Sequence, residues 1–183
     1  MLITSDKIKS FNPCNDRWEN FNANYPNFKG NLAEFLSLDL INYDDKLWVG
    51  VNLMTKNQQV KFAIACAESV LYIYEDKYPN DTRPRELLEY LKSIQDFGNM
   101  TEDQKSLLFK LKKSVYSASV NAYPDNNVAD AAYATYAAYV TISDNPYGYA
   151  GYASDAAVNA SNRIRKNQQE LNLLFMKQVL ETK

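Results

Sequence analysis

The chain has 183 residues, with 22 acidic and 20 basic side chains and a net charge of −2. A chain of this length buries roughly 70% of the surface that it exposes when unfolded, so it can fold as one domain without disulfides or metal. Its dispersed, nearly balanced charge argues against a general electrostatic hold on nucleic acid. It contains no histidine, which excludes Ser-His-Asp and Cys-His catalysis.

The composition also argues against the usual cofactor sites. Cys14 and Cys66 are 52 positions apart with no histidine in the chain, so no zinc site is expected. Neither GxxxxGK[ST] nor GxGxxG occurs, and 5 glycines leave little material for a phosphate-binding loop. Adjacent acid pairs point about 100° apart on a helix, which makes them poor two-carboxylate catalysts. We therefore expect no metal, no cofactor and no catalytic residue.

The sequence predicts a cytoplasmic protein. Its first residues, MLITSDKIKSF, lack the apolar core of a signal peptide. No run approaches the ~20 apolar residues that cross a membrane, so no membrane contact is expected. Both thiols should then be reduced. Cys66 lies in an apolar helical stretch, which predicts a buried and unreactive thiol.

Residues 1–55 predict four short helices joined by turns. The first spans 6–11, the second is capped by Asn15, the third opens at 29–31 and the fourth starts at Asp44 or the next residue. No run of alternating β-branched residues occurs, so no strand is predicted. The aromatic residues have core-like spacing, and we interpret them as packing: Trp18, Phe21, Phe28, Phe35 and Trp48.

From Lys56 onward the apolar pattern is stronger. A long helix should run to the turn at Tyr78, because Pro79 disfavours helical geometry in the residue before it. Asp81 or Thr82 can cap the next helix, which should continue to 97–99, where Gly98 is a natural stop.

Four more helices follow in the second half of the chain. Thr101 and Gln104 have the spacing of a capping box. Two alanine- and tyrosine-rich helices, 128–142 and 147–165, come before a closing helix over 168–180. The helix that Thr101 opens carries a predicted core stripe of Leu107, Leu108, Leu111, Val115, Ala118 and Ala122.

These elements predict an all-α bundle of about ten helices. We expect the short N-terminal helices of residues 1–55 to pack on an Ala/Tyr-rich helical core, residues 56–183, in one compact unit. Small residues facing small residues would let the helix axes approach closely.

The charged turn between the two helices after Lys56 is one candidate site. It contains Glu75, Asp81, Arg83 and Arg85. In one interpretation, an arginine pairs bidentately with Glu75 or Asp81 and ties the two helices together across their turn. In the other, Arg83 and Arg85 are exposed and bind an anionic partner. The spacing favours the clamp.

A tyrosine-rich stretch is the second candidate. Tyrosine is over-represented in recognition surfaces because it offers area and a hydrogen bond at little entropic cost. With 3.6 residues per turn, the tyrosines of this stretch cannot all point into one core, so some should be exposed. In the alternative interpretation, the tyrosines pack against alanines in the core. The candidate interaction surface consists of Tyr136, Tyr139, Tyr147, Tyr149 and Tyr152, with Tyr133 beside it.

One stretch resembles a known family. The segments 66–68, 70–71, 73–75 and 77–79, then Asp81 and 83–85, are similar to the signature "CAe-VL-I-fE-kYP-D-RPR" of the Imm-5-like putative immunity protein family. The resemblance extends over about residues 58–180. It implies a helical, non-enzymatic, protective protein of bacterial or phage origin. The alanine-rich helices of that family usually carry histidines, so no role of those histidines transfers to this chain.

Three functions follow as expectations. The first is a non-catalytic protein that binds and neutralises an unidentified partner protein, as the resemblance implies. The second is a helical protein that binds a small anionic ligand with the Arg83/Arg85 turn. The third is an enzyme that uses carboxylate and tyrosine chemistry. We expect the first, with neither nucleic acid nor membrane as its partner.

Overall fold

The computed structural model describes residues 1–123, 125–142, 146–161 and 165–181, without the side chains of 146–150 and 165–166. Over these ranges the chain forms ten α-helices and one two-residue strand pair, which confirms the predicted all-α fold. In chain order the elements are β1 (Ile3–Thr4), α1 (Ser5–Lys9), α2 (Asn15–Asn24), β2 (Lys29–Gly30), α3 (Leu32–Leu36), α4 (Tyr43–Leu53), α5 (Lys56–Lys77), α6 (Arg83–Ser93), α7 (Glu102–Asn121), α8 (Asn126–Val140), α9 (Pro146–Ala160) and α10 (Arg165–Glu181).

The chain divides into two compact units, residues 1–53 and 54–183. The N-terminal unit holds α1–α4 around an aromatic core. Phe21 lies at its centre, with ring centroids 6.0 Å from Trp18, 6.3 Å from Phe28 and 6.4 Å from Phe35. Phe21 and Phe35 are buried, as their spacing predicts.

The N-terminal unit also contains the strand pair, which the sequence did not predict. β1 and β2 pair antiparallel, with Ile3 opposite Gly30. Two residues per strand are too few to produce an alternating pattern. A Cβ atom on Gly30 would lie 2.8 Å from Glu34 Oε2 and 2.9 Å from the Phe28 ring, so a larger residue here would have to displace these side chains.

Two helix starts in this unit differ from the expectation. Asn15 is the first residue of α2 rather than its cap; Cys14 occupies the cap position and makes no side-chain cap hydrogen bond. α3 begins with a capping box that the sequence analysis missed, in which Asn31 Oδ1 accepts from the Glu34 amide and Glu34 Oε2 accepts from the Asn31 amide.

The second unit is built around α5. This helix packs against α6, α8, α9 and α10, and Phe62, Leu71 and Tyr74 on it are almost fully buried. α8 packs against α9 and α7 through buried alanines. Small side chains at these contacts permit the close helix approach that the sequence predicts.

Helix boundaries and one core position in this unit can be compared with the expectation. The Thr101–Gln104 capping box is present as predicted, and Thr55 with Gln58 forms a second one. α6 ends at Ser93, four residues earlier than expected, because Ile94 takes an extended conformation. Leu107, predicted in the core stripe of α7, is instead 41% exposed.

A buried hydrogen-bond network joins three helices of the second unit. Gln168 Nε2 on α10 donates to Ser69 Oγ on α5 at 2.8 Å and to Asn172 Oδ1 at 2.9 Å. Asn172 Nδ2 donates in turn to Ser154 Oγ on α9 at 2.7 Å. Asn172 and Ser154 are fully buried, so these bonds satisfy polar groups that water does not reach.

Candidate functional site

The first candidate is the turn that joins α5 to α6. α5 ends with Tyr78 as its C-cap, directly before Pro79, and α6 begins at Arg83 with Pro84 in its first turn. The five residues between the helices bring the end of one helix beside the start of the next. This geometry places both arginines of the turn against carboxylates.

Arg83 is held by Asp81 through two parallel hydrogen bonds. Arg83 Nε donates to Asp81 Oδ1 at 2.7 Å, and Nη2 donates to Oδ2 at 2.5 Å. Tyr74 donates its hydroxyl proton to Asp81 Oδ2 at 2.6 Å, and Arg83 Nη1 donates to the Ser114 carbonyl of α7 at 3.3 Å. Asp81 therefore connects α5 and the start of α6, and Arg83 extends the connection to α7.

The electrostatics of this group follow from its contacts. The hydrogen bonds from Arg83 lower the pKa of Asp81 from 3.8 to about 2. The same contacts raise the pKa of Arg83. Burial, followed by the hydrogen bond to Asp81, raises the pKa of Tyr74. Asp81 and Arg83 are thus an ion pair across the physiological pH range, while Tyr74 stays protonated and donates.

Arg85 makes the second bidentate pair, which spans the turn. Its Nε and Nη2 atoms donate to Glu75 Oε1 and Oε2 at 2.8 and 2.7 Å. Its Nη1 atom lies 3.7 Å from Glu68 Oε1. Lys92 pairs with Glu68 and Glu89, so the charges continue as a ladder along the α5–α6 contact.

This geometry favours the clamp over an anion site. Each arginine already faces a carboxylate with two nitrogens, and Arg83 gives its third nitrogen to a carbonyl. An incoming anion would have to displace a carboxylate that is held bidentately. We therefore interpret Glu75, Asp81, Arg83 and Arg85 as connections between helices.

The second candidate is a surface formed by α7 and α8, the α7–α8 aromatic surface. On α7, Phe109, Lys113, Tyr116 and Val120 recur at spacings of four, three and four residues, which places them on one helix face. Phe109, Tyr116 and Val120 are each about half exposed. The surface consists of Phe109, Lys112, Lys113, Tyr116 and Val120 on α7 and Tyr133, Tyr136 and Tyr139 on α8.

Lys112 lies among the rings of this surface. Its Nζ atom is 5.1 Å from the Tyr139 ring centroid, 6.0 Å from that of Tyr136 and 5.6 Å from that of Phe109. Tyr136 also lies 5.4 Å, between centroids, from both Tyr116 and Tyr133. These cation–π and ring contacts restrain the aromatic groups in the free chain.

The structure brings together only part of the predicted tyrosine surface. Tyr136 and Tyr139 are half-buried around Lys112, and burial raises the pKa of Tyr139. Tyr152 lies on α9 with about half of its surface exposed. The side chains of Tyr147 and Tyr149, like the predicted turn residues 143–145, lie outside the described residues.

The α7 half of this surface was missed by the sequence analysis, although the sequence contains a signal for it. Residues 104–124 include four lysines, Lys105, Lys110, Lys112 and Lys113, and no acidic residue, in a chain whose net charge is −2. Phe109 and Tyr116 stand beside these lysines at helical spacing. Charge pattern combined with aromatic spacing would have identified this face.

The described residues also bear on metal binding and on membrane spanning. Among the described residues, no cluster of three or more cysteine, aspartate or glutamate side chains could hold a metal ion. Over the same ranges, every helix is too short or too polar to cross a membrane.

The fold and its signature residues define an all-α helical domain. The chain matches the family described as "Imm-5 like putative immunity protein" over residues 51–173, about two thirds of its length, and it belongs to that family. The resemblance stated from the sequence is confirmed. Comparisons with curated proteins and with solved structures gave no match. The match begins within α4, so nearly all of the N-terminal unit lies outside it.

Proposed function

We propose that this chain is a non-catalytic immunity-type protein that neutralises a partner protein by binding it, and that the α7–α8 aromatic surface makes the contact. Family membership supports the class of function. The placement of the contact on this surface is supported by the cluster of partly exposed aromatic rings around Lys112. Aromatic residues with exposed area and preformed positions are typical of interface centres.

The charge of this surface indicates the kind of partner. Lys110 and Lys113 are exposed on α7, and residues 104–124 contain no acid. Lys105 is exposed as well but pairs with Glu102 at the start of the same helix. An acidic partner surface would therefore be attracted to this face, and the rings would supply the buried area at the centre. We place this interaction in the cytoplasm, where both thiols stay reduced.

A capture experiment with matched variants tests the proposal. The tagged chain, its Phe109→Ala/Tyr116→Ala variant and a control variant, Tyr72→Ala/Leu174→Ala, would each be used to isolate partners from the native cell. Tyr72 and Leu174 are exposed to a similar degree on α5 and α10. We expect one acidic protein to be retained by the parent and the control but lost by the α7 variant.

An activity assay with the purified chain and its purified partner then distinguishes binding from neutralisation. The parent chain should abolish the harmful activity of the partner in a mixed assay, whereas the α7 variant should not. A partner that binds all three proteins equally would contradict the proposed surface. A partner whose activity is unchanged in the complex would contradict the neutralising role.

A further inference from the structure

Helix α7 has a second row of side chains besides the row that it buries in its unit. The buried row contains Leu108, Val115 and Ala122. The residue directly after each of these three belongs to the second row, which is therefore turned by about 100° around the helix axis. This α7 row consists of Ser106, Phe109, Lys113, Tyr116, Val120 and, in the turn that follows the helix, Tyr123.

The spacing of the α7 row is that of one strand of a coiled coil. Its members follow one another at intervals of three, four, three, four and three residues, which is the alternation of the a and d positions in a heptad repeat. All six are exposed, and the apolar and aromatic members keep between 48% and 68% of their surface accessible. A surface helix normally has one apolar stripe, so a second exposed stripe with heptad spacing indicates a position for a partner helix.

The charges along the α7 row indicate which kind of helix fits. With Phe109 at a d position, Lys113 takes the following a position, and Lys110 and Lys112 take the e and g positions beside it. Among the described residues, none of these three lysines makes an ion pair. Charges at e and g set the choice of partner in coiled coils, so this row favours a helix with facing acids. A second copy of α7 has no acid over residues 104–124 and does not supply them.

We propose that an acidic amphipathic α-helix of the partner protein packs along the α7 row. This inference rests on the proposed function and specifies the segment with which the partner binds. Aliphatic side chains of the partner helix pack between Phe109, Tyr116 and Val120, and its acids pair with Lys110 and Lys113. The row spans about 26 Å at 1.5 Å per residue, so a partner helix of about 18 residues covers it.

A designed peptide tests this geometry without the natural partner. The probe is a fluorescein-labelled peptide of about three heptads, with leucine at a and d and glutamate at e and g; repulsion between its glutamates opposes pairing with itself. Its binding to the full chain would be followed by fluorescence anisotropy. We expect saturable binding, with a dissociation constant about tenfold below that of a peptide of the same composition whose leucines are moved out of the heptad spacing. A third peptide, with lysine in place of glutamate, should bind more weakly than the acidic probe because it meets the lysines of α7.

A first pair of variants assigns the binding to the aromatic members of the row. Phe109→Ala/Tyr116→Ala should raise the dissociation constant of the acidic peptide about tenfold, because both exposed rings are lost from the contact. Tyr72→Ala/Leu174→Ala removes side chains of similar exposure elsewhere in the unit and should leave the dissociation constant unchanged. Far-UV circular dichroism checks that each variant folds.

A second pair of variants tests the charges. Lys110→Glu/Lys113→Glu should weaken binding of the acidic peptide and strengthen binding of the lysine peptide, so that the preference is reversed. Lys61→Glu/Lys77→Glu makes the same change of net charge at exposed positions of α5 and should keep the preference of the parent. A reversal in the first variant alone assigns the preference to α7 rather than to the overall charge of the chain.

Sedimentation of the parent chain and of Phe109→Ala/Tyr116→Ala distinguishes the partner helix from a second copy of this chain. The inference is overturned by a dimer of the parent that this variant abolishes, by equal binding of the heptad and rearranged peptides, by no saturable binding at about 0.5 mM peptide, or by an unchanged preference in Lys110→Glu/Lys113→Glu. Any of these results rejects only the helix, because a loop of the partner would also be captured by the parent and lost by the α7 variant. A partner captured equally by all variants rejects the proposed function, whatever the peptides do.

Discussion

Arg85 on α6 holds Glu75 on α5 across the turn with two parallel hydrogen bonds, 2.8 and 2.7 Å long. The two residues are 10 positions apart in sequence, and their pairing fixes the end of one helix against the start of the next. The clamp interpretation makes this pair a contribution to stability, which a double-mutant cycle can measure.

In that cycle, Arg85→Lys retains the charge but loses the bidentate geometry, and Glu75→Gln removes the negative charge. We expect a coupling energy of about 0.5–1 kcal/mol, because the two side chains are 39% and 34% exposed and water screens the pair. Urea unfolding followed by far-UV circular dichroism would measure it. A coupling energy of zero, accompanied by loss of partner binding in Arg85→Lys, would favour the anion-binding interpretation.

Asp81 predicts how stability changes in acid. Its pKa is about 2 in the folded chain, against an ordinary value of 3.8, so the ionised form stabilises the fold. This stabilisation is complete above about pH 4 and is lost as the pH falls towards 2. Because the Asp81–Arg83 pair is partly exposed and water screens it, the loss should be about 1–2 kcal/mol.

The matched variant for this prediction is Asp81→Asn, which cannot ionise. We expect it to be less stable than the parent at pH 5, and the difference between the two should shrink as the pH falls to 2. Urea unfolding at several pH values in this range gives the comparison. If the difference in unfolding free energy between the parent and Asp81→Asn stayed constant with pH, Asp81 would contribute through packing and hydrogen bonding rather than through its charge.

The buried network around Asn172 predicts a large effect from a small change. Asn172→Ala removes the donor to Ser154 and the acceptor of Gln168, leaving buried polar atoms without these partners. We expect a loss of about 2 kcal/mol in the free energy of unfolding. Asn167→Ala changes an exposed asparagine on the same helix and should stay within about 0.5 kcal/mol of the parent. Equal effects of the two variants would contradict a structural role for the network.

The two cysteines should react at very different rates. Cys14 is exposed, whereas Cys66 is buried in α5, and burial raises the pKa of the Cys66 thiol. A thiol reagent should therefore modify one cysteine quickly in the native protein and the second only in denaturant. Peptide mapping would assign the fast site, with Cys14→Ser as the variant that lacks it. Rapid native labelling of Cys66 would mean that α5 opens locally.

The parts of the fold that could be predicted are those encoded by neighbouring residues. Thr101 and Gln104 identify a helix start because both partners of the capping box lie within four residues. Pro79 ends α5 in the same local way. The strand pair could not be predicted, since Ile3 and Gly30 meet through the packing of the whole N-terminal unit. The early end of α6 at Ser93 also has no local signal, because Gly98 offers a stop further on.

The same distinction, between contacts of residues near in sequence and contacts made by tertiary packing, applies to the candidate sites. The spacing of Glu75 and Arg85 around a turn was enough to suggest a bidentate pair, whose geometry is now visible. The contact of Tyr136 with Tyr116 and Lys112 joins two different helices, so no single stretch of sequence could predict it. The exposure of Leu107 has the same cause: which face of α7 is covered depends on where α6 and α8 pack.

The positions of the aromatic residues have a consequence for how the unfolding of this protein is recorded. Both tryptophans lie in residues 1–53, and 12 of the 14 tyrosines lie in residues 54–183. A melting curve followed by indole emission thus describes the first unit, while tyrosine absorbance and helical ellipticity describe mainly the second. The tryptophan and tyrosine signals of one sample can therefore distinguish the unfolding transitions of the two units without a label or a truncation.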